Sequence, residues 1–246
     1  GYIQQSSGKL IVHYDPGRGI WFATDDDAVR AARTLVEANF VSAERVAPHG
    51  LDRTPKRLIA GNIATQLGGE TSPEIALEAL EVLLLDPAVP VAAVIHYAEL
   101  VVPDGAVSSL NFRDRMANAR LHRWSLSEEI VGGDNLVLML TGSLTELSRR
   151  ITRNPRVGAL QVKLPDEPER GRFVAHIKPE LAADDAALLS RVTAGLQLRQ
   201  MQDLIAPYQA GPSEPTTAES APVALPIPEI MARKKEILEQ ECFGLI

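Results

Sequence analysis

The chain has 246 residues, 45% of them hydrophobic and 4% aromatic, and a formal net charge of -7 at pH 7. This length suits one large domain, or one domain with a small appendage, whose core is built mainly from aliphatic side chains. The acidic balance argues against a protein that binds nucleic acid by neutralising its phosphates.

Strand and helix signals follow one another in the first part of the chain. Residues 9–23 predict a strand, a Pro-Gly-x-Gly turn and a second short strand, and residues 24–40 predict a helix. The segment 57–67 fits either a strand or a short helix. Residues 72–86 predict a helix, with Ser72 in the N-cap position.

Three later segments predict strands. The nearly continuous apolar run 89–103 is typical of a strand that is buried on both faces of a parallel sheet. A helix is predicted at 113–124, a second buried strand at 134–142, and a third strand at 158–164. A short helix at 143–152 is expected to connect the last two strands.

The last part of the chain has only helix and linker signals. Residues 183–208 predict two helices around a Thr-Ala-Gly turn, and 229–243 predict a short amphipathic helix. Alternating helices and buried strands, followed by helices alone, predict an α/β sheet with a small helical part. The chain starts without Met and ends within an apolar pattern, so we expect it to be a piece of a longer protein.

Cysteine and histidine usage indicates neither a disulfide framework nor a metal site. Cys242 is the single cysteine, and the five histidines lie far apart without metal-ligand spacing. No apolar run reaches the roughly 18 residues of a membrane span, and there is no signal peptide. We therefore expect a soluble cytoplasmic protein that contacts no membrane.

The order of these segments resembles the AAA+ ATPase superfamily. The match is most specific at Leu164, Pro165, Asp166 and Arg170, which are similar to the motif that opens the helical lid in that superfamily. The resemblance implies a P-loop NTPase-like α/β fold, a parallel sheet with flanking helices, and a small C-terminal helical lid.

The resemblance also implies a division of the chain. Residues 1–181 are expected to form a degenerate AAA-like α/β core, 182–207 a helical lid, and 208–228 a Pro/Ala-rich linker. Residues 229–246 would be a connecting helix towards a further domain. This arrangement is similar to the N-terminal half of tandem bacterial and plastid AAA ATPases.

The nucleotide-binding loop of the superfamily is degenerate in this chain. A working loop needs backbone amides around the phosphates, a Lys for the β and γ groups, and a Ser or Thr for magnesium. Here Asp15, Gly17, Arg18 and Gly19 stand at the loop position, followed by Ile20 and Trp21. The carboxylate of Asp15 would repel a phosphate. Two uses stay open for the Gly-Arg-Gly stretch, a tight turn or an anion site at Arg18.

The acidic and sensor motifs are degenerate as well. Where the superfamily has Asp-Glu after a buried strand, this chain has His96 and Tyr97, and the nearest acid is Glu99. Neutral imidazole does not replace a carboxylate as a magnesium ligand. On the next strand, the sensor position carries Thr141 and Ser143. We expect no catalytic residue in this chain.

Two further candidates come from the residue types alone. Glu99 with Asp104 forms a candidate carboxylate pair for acid/base work, although no nucleophile or metal ligand lies beside them in the sequence. His96, at the carboxyl end of its strand, contacts either a ligand or only its structural neighbours.

A group of arginines follows the second strand, at Arg149, Arg150, Arg153 and Arg156. In the superfamily, arginines near this point act in trans on the nucleotide of the neighbouring subunit or form the subunit interface. The alternative is a solvated basic surface that pairs with Asp or Glu.

We therefore expect the N-terminal, catalytically inactive AAA-like domain of a bacterial AAA+ ATPase, with a role in assembly, regulation or partner binding. It would bind no cofactor itself, whereas ATP and magnesium would bind a downstream domain. It would form a homo-oligomeric ring and contact an unknown protein partner. The alternatives are an atypical, slowly hydrolysing ATPase and a monomeric protein-interaction domain.

Overall fold

The computed structural model describes residues 8–68, 72–206 and 226–242. The chain forms two compact units, Gly1–Ala159 and Leu160–Ile246. Most of the predicted linker 208–228 lies outside the described residues, and so does the end of the predicted connecting helix at 243–246.

The first unit contains a four-stranded mixed sheet with the strand order β2-β1-β3-β4. Its strands are β1 (Leu10–Asp15), β2 (Gly19–Phe22), β3 (Val91–Ile95) and β4 (Leu136–Met139). β1 pairs with β2 in antiparallel fashion, whereas β1, β3 and β4 run parallel. The sheet with flanking helices confirms the predicted α/β fold class, with β2 as an antiparallel addition at one edge.

Eight helices of the first unit lie in the described residues. They are α1 (Asp25–Glu37), α2 (Ala43–Val46), α3 (Lys56–Gly68), α4 (Pro73–Leu84), α5 (Ala98–Val101), α6 (Phe112–Trp124), α7 (Glu128–Gly132) and α8 (Arg149–Thr152). The helices predicted at 24–40, 72–86 and 113–124 are confirmed, and α3 settles the open alternative at 57–67. The helix predicted at 143–152 was too long, because only its last four residues are helical.

Local sequence signals explain where the main helices begin. At the start of α1, the Thr24 hydroxyl accepts a hydrogen bond from the Asp27 amide at 3.1 Å, which satisfies one of the free amides of the first turn. Pro73 begins α4, where its missing N–H costs nothing and its fixed φ suits a helix. Tertiary packing then stabilises both helices, since each presents an apolar face to the sheet.

The core of the first unit lies on one face of the sheet. Alternate residues of β1, Leu10, Val12 and Tyr14, point into it together with buried side chains of α1, α3 and α4. The other face carries the remaining alternate residues of β1, which include His13.

All five residues of β3 are buried, which confirms a strand covered on both faces, but β3 spans only 91–95 of the predicted run 89–103 and α5 follows it. The strand predicted at 134–142 was expected to be buried as well, but β4 is shorter, is exposed at Leu136 and is half-buried at its other three residues.

The third strand, predicted at 158–164, was wrong. These residues form neither helix nor strand, and the side chains of Leu160 and Val162 are 92% and 90% exposed. Alternating apolar and polar residues indicate that a segment suits a half-buried strand. A strand forms only where a neighbouring strand pairs with its backbone groups. No described residue supplies that partner here.

The second unit is a small helical bundle. Its helices are α9 (Glu167–Ile177), α10 (Ala183–Val192), α11 (Leu198–Ile205) and α12 (Ile227–Cys242). They enclose a separate core formed by seven fully buried residues: Val174, Leu189, Leu196, Met201, Leu204, Ile205 and Ile230. Helices at the expected places confirm the predicted helical C-terminal part. In the described residues, no helix is both long and apolar enough to cross a membrane.

The Leu-Pro-Asp-x-x-x-Arg motif has a structural role at the start of this bundle. Asp166 caps α9 by accepting the Glu169 amide at 2.8 Å, and Glu169 accepts the Asp166 amide in return at 3.0 Å. Arg170 is 7% exposed and donates to the carbonyl oxygens of Ser190 and Pro165 at 2.7 and 2.6 Å. The motif therefore fixes α9 against α10.

Adjacent leucines at the end of α4 offer a matched test of this packing. Leu84 is 1% exposed and belongs to the core, whereas Leu85 is 43% exposed. We expect Leu84→Ala to lower the free energy of unfolding by about 2–5 kcal/mol, because it leaves a cavity. Leu85→Ala should change it by less than about 1 kcal/mol.

Tryptophan fluorescence in a urea titration measures this difference selectively. The chain has two tryptophans, Trp21 and Trp124, and both lie in the first unit. Equal losses in the two variants would contradict the assignment of Leu84 to the core.

Candidate functional site

The turn between β1 and β2 is a tight hairpin turn. Asp15 and Gly19 are the last paired residues of the hairpin, so three residues form its loop. The Arg18 amide donates to the Asp15 carbonyl at 3.1 Å, and the φ of Gly19 is +86°, a value that favours glycine. This is the geometry of a three-residue hairpin that closes with a glycine in the left-handed region.

The carboxylate of Asp15 closes the same loop from within. Its Oδ1 accepts the Gly17 amide at 2.7 Å, so the Gly17 and Arg18 amides both bind Asp15. The guanidinium of Arg18 lies over the indole of Trp21, with 4.2 Å between its central carbon and the ring centroid. Of the two uses left open for this stretch, the geometry is that of a tight turn.

Trp21 is the centre of a group of rings at the end of the sheet, which we call the ring cluster (His13, Arg18, Trp21 and His96). The imidazole of His13 stacks on the indole with 5.0 Å between centroids and an interplanar angle of 7°. The His96 ring lies 5.1 Å from the indole. Nδ1 of His13 and Nε2 of His96 are 3.2 Å apart, so one donates a hydrogen bond to the other.

Strand pairing places these side chains together. His13 lies directly opposite Trp21 in the antiparallel pair, and both point away from the main core. His96 follows β3, the parallel neighbour of β1, and its amide donates to the Tyr14 carbonyl at 2.8 Å. The cluster therefore joins the hairpin to the carboxyl end of β3.

The surroundings of His13 favour its neutral form. Burial lowers the pKa of the imidazole, and the nearby His96 and Arg18 lower it further, whereas Asp27 acts in the opposite direction. A neutral His13 suits the hydrogen bond with His96, because one ring nitrogen must donate and the other accept.

The residues at the acidic-motif position lie at the turn after β3. Tyr97 has a φ of +48°, which is uncommon for a residue other than glycine, and its side chain is 56% exposed. Glu99 lies in α5, where its Oε2 is buried and finds no hydrogen-bond partner among the described residues. Asp104, the other half of the candidate carboxylate pair, instead binds Arg149, with 3.1 Å between Oδ2 and Nε.

The sensor position forms a self-contained turn after β4. The Thr141 hydroxyl donates to the Ser143 carbonyl at 2.9 Å and accepts the Ser143 amide at 3.2 Å. The Ser143 hydroxyl also bonds the Thr145 hydroxyl at 2.7 Å. The polar groups at this position thus bind one another.

The four candidate arginines differ in their surroundings. Arg149 pairs with Asp104, and an Arg156 guanidinium nitrogen lies 3.5 Å from the Ser125 carbonyl oxygen. Arg150 and Arg153 are exposed and pair with no acidic residue in the described part of the chain. Two of the four cations are therefore available at the surface beside α8.

Sequence reasoning treated His96 alone and missed the ring cluster. The hairpin register carried a usable signal, because a turn that pairs Asp15 with Gly19 also pairs His13 with Trp21. The contact of His96 with these rings depends on the pairing of β1 with β3, which no local pattern predicts. In residues 8–68, 72–206 and 226–242, no three His, Cys, Asp or Glu side chains form a group that could hold a metal ion.

Comparison with known proteins identifies a family and solved structures with a similar fold. The family described as AAA+ chaperone, N-terminal Rossmann-like domain, matches residues 2–163. No curated protein matches the sequence. A chain of the E. coli MS115-1 HORMA:CdnC:Trip13 complex has a similar fold, with a TM-score of 0.50 and 15% identity over 80% of this chain and 71% of that chain. The family match confirms the resemblance to AAA+ proteins.

The lowered pKa of His13 predicts a pH dependence of stability. Below the unfolded pKa of about 6.5 the unfolded chain binds more protons at this site than the folded chain. The free energy of unfolding therefore falls as the pH is lowered through this range, and His13 contributes no slope above it. We expect His13→Gln to show a smaller fall than the wild type.

Urea titrations at about pH 7.5 and about pH 5.5, on either side of the unfolded pKa, measure this fall. His49→Gln is the control, since His49 is exposed in the connection between α2 and α3 and should leave the fall unchanged. An equal fall in His13→Gln and the wild type would contradict a neutral, partly buried His13.

Proposed function

Because the chain belongs to the family of AAA+ chaperone N-terminal Rossmann-like domains, we propose that it is a non-hydrolysing module that regulates or recruits partners for a bacterial AAA+ ATPase. In this proposal ATP and magnesium bind a downstream domain of the same cytoplasmic protein. The chain itself contributes contacts to a protein partner and to further copies of itself.

The observation that carries the proposal is that Asp15 accepts hydrogen bonds from two backbone amides of the turn between β1 and β2. A phosphate-binding loop keeps its amides free to face the phosphate oxygens. Here the Gly17 amide binds the Asp15 carboxylate and the Arg18 amide binds the Asp15 carbonyl oxygen, so neither amide is free to face a phosphate. Releasing these amides would leave a negative charge beside the incoming anion.

The order of the strands supports the same proposal. In open α/β sheets, ligands bind outside the carboxyl ends of the strands, where the strand order reverses. The parallel strands of the described sheet, β1, β3 and β4, follow one another in chain order, and β2 covers the free side of β1. The described sheet therefore has no reversal between parallel strands at which a nucleotide crevice would form.

The side chains at this end of the sheet do not fit magnesium. This ion takes oxygen ligands, usually carboxylates, in a near-octahedral arrangement. The groups directly after β3 are the His96 imidazole, which faces the His13 ring, and the exposed phenol of Tyr97. Glu99 in α5 adds a single carboxylate with one buried oxygen, and the described residues contain no group of three ligand-type side chains around it.

The similarity to a chain of the E. coli HORMA:CdnC:Trip13 complex supports a role in partner binding. This similarity concerns the fold alone, but the complex joins HORMA, CdnC and Trip13 in one assembly. We propose that this chain also acts within an assembly, with Arg150 and Arg153 at a contact with another copy in a ring. Both arginines are exposed, and the chain has a net charge of -7, so acidic side chains of another copy could pair with them.

An ATP hydrolysis assay tests the absence of catalysis. We expect the purified chain with Mg-ATP to release phosphate at no more than the rate of the blank, since the described residues contain no group of three His, Cys, Asp or Glu side chains that could hold a metal ion. A saturable rate that is lost in His96→Ala would contradict the proposal and favour the atypical ATPase. His122→Ala, which changes a histidine of α6, is the matched control.

Charge reversal tests the proposed contact of the arginines. If they lie at a contact between copies, Arg150→Glu combined with Arg153→Glu should weaken self-association about ten-fold or more, equivalent to about 1.4 kcal/mol. Arg45→Glu combined with Arg57→Glu makes the same change of charge at two exposed positions of α2 and α3 and should have little effect.

Sedimentation velocity across a concentration series measures both double variants against the wild type. Equal weakening in the two would indicate a general effect of charge. Unchanged association in both would place the contact elsewhere on the surface.

A further inference from the structure

Residues 159–164 form a largely apolar segment that pairs with no strand among the described residues. The side chains of Leu160, Val162 and Leu164 are 92%, 90% and 54% exposed, and Gln161 and Lys163 separate them. This alternation is that of a strand with one face to be buried. Soluble proteins rarely leave three such side chains exposed in one row unless the row contacts another surface.

The outer edge of β4 has the complementary property. β4 is the last strand of the sheet and pairs with β3 on one side only, so its outward backbone groups have no strand partner in the described part of the chain. Its four residues, Leu-Val-Leu-Met, are all apolar and include no Lys, Pro or bulge, the features that normally protect an edge from pairing.

The face of the sheet also stays open towards this edge. Leu136 lies beside Ala92, and Leu138 lies beside Val94, on the face that points away from the main core. Leu136 is 37% exposed and Leu138 is half-buried, whereas Ala92 is fully buried. One more strand beside β4 would continue these rows and bury the sides of Leu136 and Leu138 that face the edge.

We propose that residues 159–164 of one copy add as a strand to the β4 edge of a second copy. The lengths match, since β4 has four residues and the exposed row spans five. The chemistry matches as well, because the edge carries no charge and the segment carries only Lys163. The segment forms no strand, and the β4 edge has no strand partner among the described residues, so a second copy can satisfy both.

Strand addition supplies both affinity and selectivity. The backbone groups of the segment would bond those of β4, and Leu160, Val162 and Leu164 would pack beside Leu136 and Leu138 on the same face of the sheet. The inference rests on the self-association proposed above, but it uses a different surface from Arg150 and Arg153.

Two single variants test the contact, one in the segment 159–164 and one in the β4 edge. Val162→Pro removes an amide and disrupts pairing, yet it lies in an exposed irregular segment where no backbone hydrogen bond is lost. Leu136→Lys places a charge on the edge strand, as natural edges do. Val131→Lys, at a 56% exposed position of α7, is the control for adding a lysine.

Sedimentation velocity from about 1 to about 200 μM, where weak association responds to mass action, measures the result. We expect the wild type and Val131→Lys to associate alike, and each of the two test variants to associate at least ten-fold more weakly. Far-UV circular dichroism should show that both variants keep the wild-type fold.

Mixing the two variants makes the test specific. Leu136→Lys retains an intact segment and Val162→Pro retains an intact edge, so an equimolar mixture should form a heterodimer that neither variant forms with itself. Native mass spectrometry distinguishes this heterodimer by its mass.

Three results would overturn the inference. If both variants associate as strongly as the wild type, the chain self-associates through another surface and the strand contact is wrong. Monomers in the mixture would show that the segment does not bind the edge. A wild type that is monomeric throughout would contradict both the strand contact and the proposed self-association.

Discussion

The hydrogen bond from the Gly17 amide to the Asp15 carboxylate, 2.7 Å long, fixes the turn that joins β1 to β2. Because the turn is tight, Asp15 pairs with Gly19 and His13 therefore pairs with Trp21. The indole then meets His13 and His96 on the face of the sheet that points away from the main core, at the carboxyl end of β3. One side chain thus sets the register of the hairpin and, through it, the position of the ring cluster.

The Leu-Pro-Asp-x-x-x-Arg motif, on which the resemblance to AAA+ proteins was based, has a structural role in this chain. Asp166 caps a helix and Arg170 bonds two carbonyl groups, and both tasks are independent of any nucleotide. The residues that would serve nucleotide chemistry have other partners instead, such as Asp15 for the Gly17 amide and His13 for His96. A fold can persist in this way while its function is carried by its surface.

Much of the fold was predictable because its signals are local. A few neighbouring residues are enough to predict three of its elements: the glycine turn within 9–23, the capped helix α1 and the apolar strand β3. The segment 158–164 carries an equally clear strand pattern, yet a strand needs a partner and no local pattern can supply one. The ring cluster was missed for the same reason, since the neighbour of β1 in the sheet is set by the whole chain.

The central claim is that Asp15 closes the loop against phosphate, and calorimetric titration of the chain with Mg-ATP tests it most directly. The account predicts no saturable heat of binding at millimolar ATP, because the loop amides are already bonded and a carboxylate lies among them. A dissociation constant near 1 μM, equivalent to about -8 kcal/mol, would contradict it. Such a result would show that the loop opens and that Ile20, Trp21 and His96 tolerate a nucleotide.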